Sequence, residues 1–478
     1  RATGGPALLR QGFRPFFLFA GIWAPLGLVL TFARLQGWIA VPSAFDPLAW
    51  HFHEMLYGYV AAAIAGFLLT ALLISTHAEA SNWPSWRGPS GNGISPEKNL
   101  PSTWSPTENV AWKIDLPGSA GATPAIWGDK IFVTSAAGSD LVLLCISTGG
   151  KILWKKSLAS GNKKIRGDEG NSAAPSPATD GKHVWTFLGT GDMHCFDMKG
   201  KLVWEKNLQK SYGAFDHWHG MSSTPLLEGD SLYQMCLQME NPYIVAFDKL
   251  TGKERWKVTR DSDAKHESRH SYASPILYRD GDKRQLLIHG ADYLSAHSLE
   301  NGKELWRCGS LNPKKGYNKF LRFVASPACQ PGLVVIPSAK NKPVLGVKPD
   351  GKGDISESQS HLRWRRGRDT SDVPTPVIHD GLLYLARENG VMIVMEAMTG
   401  KEVYLQRVHR NRQRASPIIA DGRLYLAARN GEVCVLKLGR KFEVISRNNM
   451  GEGIAATPAI SGGRIYIRTF KTLYAIGK

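Results

Sequence analysis

The chain has 478 residues, of which 43% are hydrophobic, 49 are glycine, and the formal charge is +18. That hydrophobic share excludes a disordered chain, and the length is too great for one spherical core, which leaves several domains or a closed repeat. The positive charge favours anionic partners, but no nucleic-acid-binding motif accompanies it, so no nucleic-acid partner is expected. The six cysteines (Cys145, Cys195, Cys236, Cys308, Cys329 and Cys434) include no adjacent pair and no C-x-x-C, so neither a disulfide framework nor a zinc site is expected.

Residues 1–80 carry two apolar runs, 16–32 and 57–74, each near the length of a membrane-spanning helix. Between them stands Trp50-His51-Phe52-His53-Glu54-Met55. His51 and His53 are candidate metal ligands, although helix positions i and i+2 do not share a face and a site would need donors from elsewhere. Ala78-Glu79-Ala80, following an apolar run, also reads as a signal-peptide cleavage site, with a mature chain starting near Ser81. Arg10 and Arg14 favour a cytoplasmic N-terminus; two retained spans would return the chain to the cytoplasm, whereas a cleaved signal would export the remainder of the chain. Both readings stay open. The chain starts at Arg1 with no initiator Met, which fits an incomplete or joined N-terminus.

Gly12-Phe13-Arg14-Pro15-Phe16-Phe17, Trp50-His51-Phe52-His53-Glu54-Met55-Leu56-Tyr57-Gly58-Tyr59 and Gly66-Phe67-Leu68-Leu69-Thr70-Ala71 resemble the start of the NnrS family. Those are multi-pass membrane proteins containing haem and copper. The resemblance implies attachment to a membrane through residues 15–75, with His51 and His53 as haem or copper ligands.

Residues 81–104 read as a linker, and a repeat occupies 105–478. A small hydroxyl residue followed by Pro recurs eight times: Thr123-Pro124, Ser176-Pro177, Thr224-Pro225, Ser274-Pro275, Ser326-Pro327, Thr375-Pro376, Ser416-Pro417 and Thr457-Pro458, spaced 41 to 53 residues apart. That is the period of a four-stranded propeller blade. After each pair comes a tight turn such as Gly229-Asp230 or Asp421-Gly422, then a β-rich run such as Leu424-Tyr425-Leu426. A third strand comes next, then a Gly-Lys turn (Gly150-Lys151, Gly200-Lys201, Gly252-Lys253, Gly302-Lys303, Gly351-Lys352, Gly400-Lys401). The fourth strand carries Trp154, Trp204, Trp256, Trp306, Trp364 or Tyr404. Proline removes a ladder donor, so each Ser/Thr-Pro belongs at the start of an inner edge strand. The tryptophans fall on the outer strand, where they can pack between blades. The last repeat stops one strand short, and Asn109-Val110-Ala111-Trp112-Lys113 has the pattern to supply it, leaving no open edge. The fold class expected is all-β, an eight-bladed propeller of four-stranded antiparallel blades closed by the strand at 109–113, preceded by one or two transmembrane helices.

Asp248-Lys249-Leu250-Thr251-Gly252-Lys253-Glu254-Arg255-Trp256 resembles the pyrroloquinoline-quinone repeat. That repeat builds quinoprotein dehydrogenases and also the outer-membrane assembly lipoprotein, a scaffold without cofactor. Trp83-Pro84-Ser85-Trp86-Arg87-Gly88-Pro89-Ser90-Gly91-Asn92-Gly93-Ile94 resembles the start of exported propellers of this type from planctomycete-type bacteria. The resemblance implies either a quinone with calcium beside a carboxylate base, or no cofactor at all. The chain lacks the vicinal cysteine pair common in the dehydrogenases and is shorter than they are. Both differences favour a scaffold.

The residues just before the inner strands are polar, and loops at that position converge on one mouth of a propeller channel. They supply ten candidate binding residues: Asp168, Glu169, Asn171, His217, His219, Glu267, His270, Arg322, Asp372 and Arg414. Asp168, Glu169, Asn171 and Glu267 are candidates to hold a cation, and His219 and His270 to act as base or ligand. The expected function is an envelope-associated, non-catalytic binding or assembly scaffold. Its propeller would be periplasmic or exported, and its partner an envelope protein, an anionic polymer or a small polar ligand. The alternatives are a pyrroloquinoline-quinone- and calcium-dependent oxidoreductase and a truncated NnrS-like haem or copper protein.

Overall fold

Each Ser/Thr-Pro pair opens a four-stranded antiparallel sheet. In the computed structural model, which describes residues 14–40, 46, 49, 53, 60, 63–64, 81–165 and 170–477, eight such sheets begin at Ala125, Ala178, Leu226, Ile276, Ala328, Val377, Ile418 and Ala459. They are numbered here as blades 1 to 8. The two middle strands of a blade are enclosed by its neighbours on both faces, so they read as continuous apolar runs: all six residues of Ser231–Cys236 are buried. Outer strands have one wet face and alternate, as Val110–Asp115 does. That strand completes blade 8 by pairing antiparallel with Thr472–Ile476, Trp112 opposite Ala475, so the two ends of the repeat share one sheet.

The hydroxyls of the repeated pairs do more than fit a crowded centre. The backbone N–H of Thr123 donates to Ser176 Oγ, that of Ser176 to Thr224 Oγ1, and that of Thr224 to Ser274 Oγ. The series continues from Ser274 to Ser326, Thr375, Ser416 and Thr457 at 2.9–3.0 Å. Blade 1 is thereby stitched to blade 8 through seven steps around the axis. The eighth step is missing: among the described residues, Thr123 Oγ1 has no hydrogen-bond partner. At this seam Arg468 of blade 8 donates instead to the Thr134 and Ala122 carbonyls of blade 1, at 2.5 and 3.5 Å.

At the rim, each outer tryptophan lies under the Gly-Lys turn of the next blade. Trp204 Nε1–H donates to the Lys249 carbonyl at 2.9 Å, and a Cβ on Gly252 would stand 2.8 Å from the indole. Trp112, Trp154, Trp256 and Trp364 repeat the arrangement with Gly150, Gly200, Gly302 and Gly400. Blade 4 departs from it. Trp306 is fully buried and donates to Gln285 of its own blade. The chain after Gly351-Lys352 detours to add a parallel fifth strand, Gly353–Asp354, to the rim of blade 4.

Residues 81–104, expected as a linker, lie against the ring as a strap. Trp83 bridges to Ile126 in blade 1 and is fully buried, Thr179 N–H of blade 2 donates to the Pro84 carbonyl, and Ile94 bridges to Ile419 in blade 7. The buried Arg87 donates to the Pro417, Asn92 and Pro376 carbonyls at 3.0–3.2 Å. Burial without an acidic partner lowers its guanidinium to about 9.

The chain divides into two compact units, Arg1–Glu79 and Ala80–Lys478. In the first, Arg14–Leu35 forms an α-helix with Pro25 inside it, exposing Leu28, Val29 and Phe32. The spanning helices expected here are not established. Among the described residues no helix is long and apolar enough to cross a membrane, and most of run 57–74 lies outside those residues.

Candidate functional site

The loops that enter the inner strands of blades 3 to 7 do meet. The loop before blade 3 brings His217, Trp218 and His219; the one before blade 4 is a 3-10 turn, His266–Arg269, bearing Glu267, with His270 as its C-cap. Glu267 is buried, and its Oε1 lies 3.3 Å from His219 Nε2 and 3.8 Å from Arg322 Nη1, the latter from the loop before blade 5. Arg322 in turn acts electrostatically on Asp372, which shares a hydrogen bond with Glu388. Glu388 accepts from Arg414 at 2.8 Å and from Arg412 at 3.3 Å. Burial and the neighbouring Glu388 carboxylate push Asp372 up to about 6. Seven of the ten expected residues thus form one arc from His219 to Arg414 or, through stacking, adjoin it.

His217 and His270 are stacked, with centroids 4.5 Å apart. Trp218 meets the edges of His266 at 4.8 Å and His270 at 5.5 Å, and Tyr272 packs edge-on against His217. Desolvation, with His270 nearby, lowers His217 to about 3, and desolvation lowers His270 to about 4, so both rings are neutral near pH 7. His217 Nε2 lies 3.2 Å from the Ser271 carbonyl, which can only accept, so Nε2 carries the proton and Nδ1 the lone pair. That Nδ1 is buried without a hydrogen-bond partner, and so are both ring nitrogens of the fully buried His270, among the described residues. A cavity of about 470 Å³ opens beside this cluster, lined by Lys163, Lys164, Asn171, His217, Trp218 and His219.

Of the other expected residues, Asn171 is engaged by the protein itself and three are not among the described residues. The Asn171 Nδ2 donates to the Ser119 carbonyl at 2.6 Å and its Oδ1 accepts from Ala173 N–H, so the amide ties its loop to the segment before blade 1. Asp168, Glu169 and His51 lie outside the described residues, while His53 is described and half-buried. Among the described residues no three His, Cys, Asp or Glu side chains group to hold a metal ion. Two residues were missed. Trp218 stands between the two histidine candidates in sequence. Glu388 sits in the Glu388-Asn389-Gly390 turn between the second and third strands of blade 6, and such turns open on the same mouth as the loops before the inner strands.

A family model described as outer membrane protein assembly factor BamB matches residues 140–347 and 352–478, and one described as NnrS protein matches residues 7–83. The solved structure of BamB from Moraxella catarrhalis is similar with a TM-score of 0.57 at 15% identity, covering 77% of this chain and 99% of that one. Quinohemoprotein alcohol dehydrogenase from Comamonas testosteroni is similar with a TM-score of 0.60 at 12% identity, covering 85% and 82%. Both likenesses are of fold alone. A curated relative, polyvinylalcohol dehydrogenase from Pseudomonas sp, is 24% identical over 188 residues, which span 37% of this chain and 28% of that relative.

Proposed function

The chain belongs to the outer membrane protein assembly factor BamB family, and on that premise we propose a non-catalytic binding scaffold of the cell envelope whose ligand or partner engages the channel mouth around His217, His219, Glu267, His270 and Arg322. The observation that carries this reading is the pairing of Glu267. Glu267 Oε1 lies at ion-pair distance from both His219 Nε2 and Arg322 Nη1, and a carboxylate held between two such neighbours is a poor general base. The orphaned ring nitrogens beside it are groups that a bound partner would satisfy. The helix Arg14–Leu35, with its exposed apolar side chains, supports membrane attachment through residues 15–75.

A second reading, a pyrroloquinoline-quinone- and calcium-dependent oxidoreductase, is favoured by the similarity to polyvinylalcohol dehydrogenase. The described residues do not fit that pair. Calcium needs six or more convergent oxygens, yet Glu267 is ion-paired and the Asn171 amide is engaged with Ser119 and Ala173. Dye-linked oxidation of polyvinyl alcohol and short alcohols by the full chain, supplied with quinone and calcium, separates the readings. The scaffold gives no turnover above a blank; sustained turnover rejects it.

A further inference from the structure

We infer that the cavity beside His217 and Trp218 binds an acidic carbohydrate. The inference rests on the reading of the chain as a binding scaffold and names the class of ligand. Three features of the cavity wall select that class together. First, Trp218 leaves 47% of its surface exposed while two edge-on imidazoles, His266 and His270, fix its plane. An indole held still and left wet is a ready platform for the C–H face of a sugar ring, since an aromatic side chain gains contact area at little entropic cost when it is already immobile. Second, His217 Nδ1 is a buried lone pair without a donor. A hydroxyl is the donor that fits it, whereas a carboxylate or phosphate oxygen would be repelled. Third, Lys163 and Lys164 line the same cavity, and among the described residues neither has an ion pair, so their charges are available to an anion.

A simple anion satisfies the lysines but leaves His217 and Trp218 idle. A neutral sugar does the reverse. A ligand carrying ring faces, hydroxyls and a carboxylate uses all three, and the volume of about 470 Å³ lies within the range of roughly 300–1,000 Å³ typical of small-molecule sites. His217 stays neutral well below pH 7 because burial lowers it, so the lone pair remains an acceptor at the pH of the test.

Calorimetry of the full chain with tri-galacturonate tests this, with its methyl ester and acetate as controls. The expected result is saturable one-to-one binding, weakened about tenfold in Trp218→Ala, and similarly in Lys163→Gln/Lys164→Gln and with the ester. Trp218, Lys163 and Lys164 are surface residues, and an unchanged melting temperature certifies that each variant is folded. No saturable binding, binding indifferent to Trp218→Ala, or acetate binding as well as the trisaccharide would each overturn the inference. If the trisaccharide binds as expected but is consumed with dye reduction in the presence of quinone, the site stands and the scaffold reading falls.

Discussion

Two glycines separate the cost of backbone strain from the cost of disturbing the rim. Gly229 and Gly252 both have positive φ, +56° and +67°. A Cβ at Gly229 would meet nothing within 4 Å, whereas one at Gly252 would lie 2.8 Å from the Trp204 ring. Gly229→Ala therefore costs only the left-handed conformation, about 1 kcal/mol. Gly252→Ala adds the displacement of the indole, about 1–3 kcal/mol for overpacking. It also weakens the Trp204 Nε1–H bond to the Lys249 carbonyl, worth about 1 kcal/mol. The total is roughly 3–5 kcal/mol. Urea unfolding of the full chain, followed by circular dichroism, should show Gly252→Ala losing roughly three to five times as much stability as Gly229→Ala. Equal losses in the two variants would refute the argument that these tryptophans lock one blade to the next.

Three other expectations concern the ring, the strap and the buried histidines. Thr224→Val should cost about 1–3 kcal/mol, because it orphans the buried Ser176 N–H, while Thr123→Val should be nearly neutral because Thr123 Oγ1 accepts nothing; urea midpoints decide. Arg87→Met removes the bonds to the Pro376, Pro417 and Asn92 carbonyls, so amide exchange at Gly93 and Ser95 should quicken, and unchanged protection would contradict the strap. His270, His289 and His297 are buried with ring pKa values lowered from 6.5 to about 4 by desolvation. The unfolded chain then binds more protons than the folded one between these values. Stability is full above pH 6.5 and falls as the pH drops towards 4, at up to roughly 1.4 kcal/mol per pH unit per histidine. Asp292 and Asp372, raised to about 6, act in the opposite direction over the same window and blunt the fall. His270→Phe should flatten the slope measured between pH 7 and 5; an unchanged slope would reject the assignment.

What the sequence made legible was local and periodic. Ser/Thr-Pro, the Gly turns and the outer tryptophans each report the conformation of a few neighbouring residues, and repetition of one pattern settles the blade count and the closing strand at Val110–Asp115. The hydroxyl ring joins residues 41 to 53 positions apart, so Ser and Thr at these pairs looked merely small. The strap was hidden because Arg87 finds its partners at Pro376 and Pro417, some three hundred residues away, and Gly-Pro-Ser-Gly composition around it reads as a linker. The detour at Gly353–Asp354 had a visible trace: Trp364 stands thirteen residues after Gly351, whereas Trp204 stands four after Gly200. The mouth cluster was half legible. Loop position indicated which residues converge, but not that Glu267 is paired, that Asn171 is turned inward, or that Glu388 joins from a hairpin turn.

A binding scaffold has a channel mouth that does not hold a quinone and calcium. Calorimetric titration of the full chain with pyrroloquinoline quinone in the presence of calcium tests it most directly. A scaffold of this kind gives no saturable heat and no quenching of the tryptophans; one-to-one binding at micromolar concentration or tighter would overturn that reading.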